Sequence, residues 1–244
     1  MKKSIDFVDK WGLLDKHFHR DGGDSAHREG MFWTLAYFNK NTYERKETFQ
    51  EVMERIHPHP GIILRHSNIE YDASDWDRTS RDQFKPIIIA CGLWDKGELK
   101  KLTLGHLKRG FLFMNNVRQN GATKRNHGEK GYSYAWRFPD VTFIDVWALF
   151  IRAWRSWPLY PLLLVFDLYL IVTAIKWRYF PQHNIAMNSA LSILQAKKIL
   201  PTPLSWIALK ICPPKIYTDF IGEHFRDFPD DMIFFQEMFE DAFK

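Results

Sequence analysis

The run at residues 162–177, LLLVFDLYLIVTAIKW, restricts the folds open to this chain more than any other stretch. Counted from Trp157 to Trp177 it is about long enough to cross a bilayer, since a span takes roughly 20 mostly apolar residues. Trp and Tyr stand near both ends, and Arg152, Arg155, Lys176 and Arg178 flank them, the pattern of interfacial anchors. Against a span, Pro158 and Pro161 shorten the usable helix and Asp167 sits mid-run. A charge there costs roughly 2.5–3.5 kcal/mol on insertion scales. Cations at both ends specify no orientation. A helix apolar on all sides belongs either at the centre of a soluble domain or against lipid. The buried central helix is the expectation, with membrane contact through 157–177 as the alternative.

Elsewhere the chain reads as helices broken by Gly and Pro. Phe7, Val8, Trp11, Leu14 and Phe18 predict an amphipathic helix over 5–18, although Gly12 weakens it. Further helices are expected from Asp24 or Ser25, over 43–56 up to the stop His-Pro-His-Pro-Gly, from Thr79 or Ser80 through Trp94, and over 98–109. Others follow over 141–154, 184–199 and 203–211, and in the aromatic C-terminal segment DDMIFFQEMFEDAF. Residues 61–80 and 115–140 read as long loops, and GIIL at 61–64 is the best strand candidate, though it reads equally as a turn of helix. The expected class is all-α or mainly α, an array of helical hairpins in one domain over 1–244.

Composition narrows the function classes. The 244 residues are 45% hydrophobic, with 20 Phe, 10 Trp and 9 Tyr, ample for a packed core. The net charge of +5 is spread among acids, so nucleic acid is not an expected partner despite the basic stretch at 100–125. Cys91 and Cys212 are far apart and read as free, inert thiols. The N-terminus carries Asp6, Asp9 and Asp15 and no apolar core of signal length. A cytoplasmic location is therefore expected, with membrane association as the alternative.

Two polar clusters hold the candidate chemistry. HFHRDGGDSAHRE at 17–29 gathers Asp21, Asp24, His27, Arg28 and Glu29 about a glycine pair at a helix start. Carboxylate, imidazole and guanidinium there suit acid–base work or anion binding. EYDASDWDRTSRDQ at 70–83 sets Asp72, Asp75, Asp77, Arg78, Arg81, Asp82 and Gln83 around Trp76. A carboxylate pair beside an aromatic is a common way to cleave sugars. A structural role as caps and ion pairs accounts for either cluster too. Residues 21–38 and 77–94 echo each other, each passing from a polar head into an apolar helix. His17, His19, His57, His59 and His66 match no spacing that names a metal, so no metal site is assigned. GxGxxG, GxxxxGK[ST] and GxSxG are all absent, which leaves the cofactor unknown.

Helical hairpins with acids and aromatics at helix starts resemble the α/α-toroid enzymes that process glycans. DGGDSAHREGM and SRDQ carry the resemblance. It implies a partial α/α toroid and a hydrolase or lyase acting on a polar, glycan-like substrate. Asp24, His27, Asp75 and Asp77 would be catalytic, and Asp21, Arg28, Trp76, Arg81 and Gln83 would bind substrate. The competing expectation is a membrane-associated or protein-interaction protein without catalysis.

Overall fold

The computed structural model describes residues 3–4, 8–14, 25–39, 43–58, 60–61, 63–64, 66–67, 81–108, 118–119, 122–123, 142–179, 183–218 and 229–244. It is mainly helical, as expected. The longer helices are α1 (Ser25–Phe38), α2 (Phe49–Ile56), α3 (Arg81–Trp94), α4 (Lys96–Lys108), α5 (Thr142–Ala153), α6 (Tyr160–Tyr179), α7 (His183–Lys198), α8 (Pro203–Ile211) and α9 (Pro229–Phe243), with a further helical turn at 214–218. Two short pairings complete it. Strand β1 (Lys3–Ser4) lies parallel to β2 (Tyr43–Glu44), and β3 (Arg118–Gln119) antiparallel to β4 (Ala122–Thr123).

Helix α3 is the central element. Every residue from 84 to 92 is buried, and it packs on α1, α4, α5 and α7. A helix apolar all round needs neighbours on all sides. Its closest neighbour is α1, and the reason is local. A Cβ on Gly30 would overlap the Pro86 side chain and stand 2.6 Å from the Ile87 nitrogen. The missing side chain therefore lets α1 seat against the proline inside α3. Gly30 meets Pro86 and Tyr37 meets Trp94, offsets of 56 and 57 residues, so the two helices run parallel. Helix α9 covers α1, with Asn39 Nδ2 donating to the Met238 carbonyl at 2.9 Å.

Three expectations need correction. Residues 8–14 are a tight turn, not part of a helix. Asp9 Oδ1 accepts from the Trp11 and Leu13 amides at 2.8 and 2.9 Å, and Gly12 is left-handed at φ 73°. The helix expected over 43–56 begins only at Phe49. Thr48 and Glu51 form a capping box, and 43–44 are extended against β1. Of the two readings of 61–64, strand or turn of helix, the strand is not formed by the described residues. Gly61 is in a turn and Leu64 donates to the Ile56 carbonyl at 2.7 Å, while Ile63, Leu64 and His66 are buried.

The expected loop at 115–140 lies outside the described residues except for β3 and β4. The 68–80 part of the other loop lies outside them entirely. Cys91 and Cys212 are buried free thiols, each with its pKa raised by burial.

Candidate functional site

The apolar run forms one helical rod, Trp157–Tyr179, of 23 residues, opened by a 3₁₀ turn at Trp157–Leu159. At 1.5 Å per residue that is about 35 Å, more than the roughly 30 Å hydrocarbon core of a bilayer. It is not the buried central helix that was expected. Only 28% of its apolar window is buried. Its inner face, Leu163, Asp167, Leu170, Thr173, Ala174 and Trp177, packs toward α5, α7 and α8. Its outer face presents Leu162, Val165, Leu168, Val172 and Ile175, with Val165 60% and Val172 58% exposed. Trp157 and Tyr179, 64% and 66% exposed, stand at the two ends. Helix α8 packs along α6 and turns Trp206 and Ile207 outward as well.

The mid-run charge that counted against membrane contact points inward. Asp167 is fully buried and accepts two bonds from Arg152 Nη2, one of 2.6 Å, and another from the Thr202 hydroxyl. Arg152, read in the sequence as an interfacial anchor, is thus the buried counter-ion of Asp167. Thr202 also caps α8 through a reciprocal box with Ser205. One carboxylate therefore ties α5, α6 and the start of α8 together. Arg178 donates to the last carbonyl of α8, Ile211, at 2.8 Å.

The two polar clusters are approached at their helix ends. The parallel register places Ser25 and Arg81, the first residues of α1 and α3, at the same end of the pair. This offset of 56 is also the spacing between the echoing segments 21–38 and 77–94. Asp21, Asp24, Asp75, Trp76 and Asp77 lie outside the described residues. Arg81 and Gln83 fall in the first turn of α3. His27 and Arg28 are buried, and the Arg28 guanidinium lies 5.8 Å from the centre of the Phe235 ring of α9.

Glu29, the last residue of the first cluster, has a role that sequence did not reveal. It is fully buried and accepts from the Leu14 amide at 2.7 Å, Trp33 Nε1 at 3.0 Å and Arg45 Nη2 at 2.8 Å. Arg45 also bonds the Gly12 carbonyl at 2.7 Å and Glu47 at 3.0 Å. Burial opposes the Arg45 charge, but Glu29 and Glu47 outweigh it and hold its pKa above the usual value. The segments 8–14 and 43–48 are thereby fastened to α1. His57 is a second fastener. Its Nε2 accepts from the Gly61 amide at 2.9 Å, so Nδ1 carries the proton and donates to Glu98 at 2.8 Å. His66 bonds Asp9 at 2.7 Å.

Beside the Arg45 knot lies a cleft of about 500 Å³. Phe32, Trp33, Phe49 and Trp94 supply its aromatic walls, and Glu44, Glu47 and Asp95 supply carboxylates. No family model, no curated protein and no solved structure matches the chain.

Proposed function

We propose that this protein works at a membrane surface, lying on the bilayer through the outer face of α6 with α8 beside it. The observation that carries this reading is the outward, continuously apolar face of the 23-residue rod, bracketed by the exposed rings of Trp157 and Tyr179. Water-exposed apolar area of this extent marks an interaction surface. Aromatic rings at both ends and Lys176 near one end match an interfacial belt. The inner face supports lying on the membrane over crossing it. It holds the Arg152–Asp167–Thr202 cluster and packs on α5, α7 and α8, so the protein covers one side and lipid the other.

Flotation with lipid vesicles tests this. The full chain is expected to float with the vesicles, and Val165→Glu/Val172→Glu to remain at the bottom while keeping its helical circular dichroism. A wild-type chain that stays monodisperse without detergent and never floats would sink the idea.

A second reading, a hydrolase or lyase of glycan-like substrates, draws support from one observation, the shared end of α1 and α3. Two helix N-termini side by side concentrate unpaired N–H groups and positive dipole ends. The segments 17–24 and 70–80 that lead into them carry Asp21, Asp24, Asp75 and Asp77. Asp24→Asn and Asp77→Asn are expected to abolish hydrolysis in a glycan screen. Undiminished turnover in both variants would end this reading.

A further inference from the structure

Resting on the bilayer reading, we infer that the membrane involved is an acidic one, and that the cations around the outer face of α6 and α8 recognise anionic phospholipid headgroups. Charge is distributed unevenly along the chain. Between Asp145 and Asp219 the sequence has a single acid, Asp167, against eight Lys and Arg. The rest of the chain holds 26 Lys and Arg against 28 acids, so the whole excess of +5 belongs to this stretch and is not evenly spread. Asp167 is fully buried and paired with Arg152, so the stretch presents no carboxylate of its own to solvent. A soluble surface ordinarily mixes the two signs.

The fold places these cations around the apolar face. Arg178 donates to the Ile211 carbonyl, which holds the ends of α6 and α8 together and brings Lys176, Arg178, Lys210 and Lys215 to one end. All four are exposed, as is the Tyr179 ring beside them. At about 100° per residue, Lys176 falls roughly 40° round the helix from Val172, at the border of the outer face. Lys210 stands one turn beyond Trp206 and Ile207, on the outward side of α8. At the opposite end Arg155 is exposed two residues before Trp157. There the Tyr160 hydroxyl donates to the Pro201 carbonyl at 2.9 Å, which draws in the end of α7 with its exposed Lys198. Among the described residues none of these six cations pairs with a carboxylate.

Helix dipoles account for part of the pattern, because cations in the last turns of α6, α7 and α8 stabilise those helices. The same dipole favours acids in first turns, which Glu51 and Glu98 supply in α2 and α4. The first turns of α6, α7 and α8 have none. Acids are thus missing even where they would stabilise the fold, as suits a surface that meets negative charge. Near an acidic bilayer each Lys or Arg strengthens binding about fivefold.

Flotation of the full chain with phosphatidylcholine vesicles, and with vesicles of equal parts phosphatidylcholine and phosphatidylglycerol, is the test. Affinity for the acidic vesicles is expected to be higher by about tenfold or more, and most of that advantage should vanish in about 0.5 M salt, where charge is screened. Lys176→Gln/Lys210→Gln/Lys215→Gln should lose about tenfold or more toward the acidic vesicles with no change in melting temperature. Equal flotation with both lipids, or a preference indifferent to salt, would overturn the inference and leave the bilayer reading standing. A folded triple variant with undiminished affinity for the acidic vesicles would do the same. Flotation with neither lipid would end both. An oligonucleotide that displaces the chain from the acidic vesicles and binds it as tightly would reassign the cations to nucleic acid.

Discussion

Helices α3 and α6 have similar apolar composition and opposite surroundings. PIIIACGLW in α3 is enclosed by α1, α4, α5 and α7, whereas LLLVFDLYLIV in α6 has, among the described residues, neighbours on one side only. Both carry a feature that ordinarily disfavours such a helix, Pro86 with its missing N–H in one and the Asp167 charge in the other. Each is answered by a single complementary residue, Gly30 for the proline and Arg152 for the carboxylate. The difference teaches that all-round apolarity shows that a helix will be covered, but not by what. In α3 the cover is protein, and in α6 the outer face is left exposed.

The sharpest way to break this comparison is to place the same charge on both helices. Ile88→Asp buries an unpaired carboxylate where exposure is nil, and a loss above about 4 kcal/mol is expected, enough to leave no folded protein. Val172→Asp, on the open face of α6, should change stability by no more than about 0.5 kcal/mol while removing vesicle binding. Chemical denaturation and flotation read the two effects. Comparable destabilisation by both would mean that α6 is enclosed like α3.

Removing one partner of the inner cluster comes next. Asp167→Ala leaves Arg152 buried without its carboxylate, and a loss of about 3–5 kcal/mol is expected in urea unfolding. The double change Arg152→Leu/Asp167→Leu should recover most of it, because apolar replacement of a whole buried pair is often neutral. If the single and double variants are equally unstable, the pair does not fasten α5 to α6.

What was legible in the sequence was local. Helix α1 begins at Ser25 and α8 spans Pro203–Ile211, as expected, because apolar periodicity and its breakers lie within a few residues of each other. The turn at 8–14 was misread because Val8, Trp11 and Leu14 imitate a helical face. The turn is fixed from a distance, by the Leu14 amide on Glu29 and the Arg45 and Arg55 bonds to the Gly12 carbonyl. The start of α2 was misplaced although its signal, Thr48 three residues before Glu51, was in view. The pairing of 43–44 with 3–4 is what decides it. At the candidate sites, Arg152 looked like a membrane anchor because its partner lies 15 residues on, beyond the helix that carries it. The echo of 21–38 and 77–94 was visible as text, but its meaning, a parallel pair in the same register, appears only in three dimensions. The aromatic cleft drew no attention at all, since α1, α2 and the α3–α4 junction contribute to it from separate parts of the chain.

The glycine–proline contact gives a smaller effect. Gly30→Ala raises helix propensity but forces a methyl into Pro86 and the α3 backbone, which rigid helices relieve only by moving apart. A net loss of about 1–3 kcal/mol is expected from overpacking. A stabilised Gly30→Ala protein would show that α1 and α3 do not touch there. Pairing the change with Pro86→Ala should restore part of the loss, because the contact is shared.

The smallest effect concerns the surface cap of α2, and it resolves by pH. The Thr48 backbone N–H, at 2.7 Å, and the Thr48 hydroxyl both bond the Glu51 carboxylate and lower its pKa. A carboxylate depressed on folding stabilises the folded state above its ordinary pKa, near 4.3 in unfolded chains. That contribution fades as pH falls through the lower folded value. Glu51→Gln keeps hydrogen-bonding capacity but does not titrate there. The melting temperature of the wild type should therefore exceed that of Glu51→Gln at neutral pH, and the gap should close below about pH 4. A gap that stayed constant into acid would mean the cap acts through geometry alone, with no part played by the carboxylate charge.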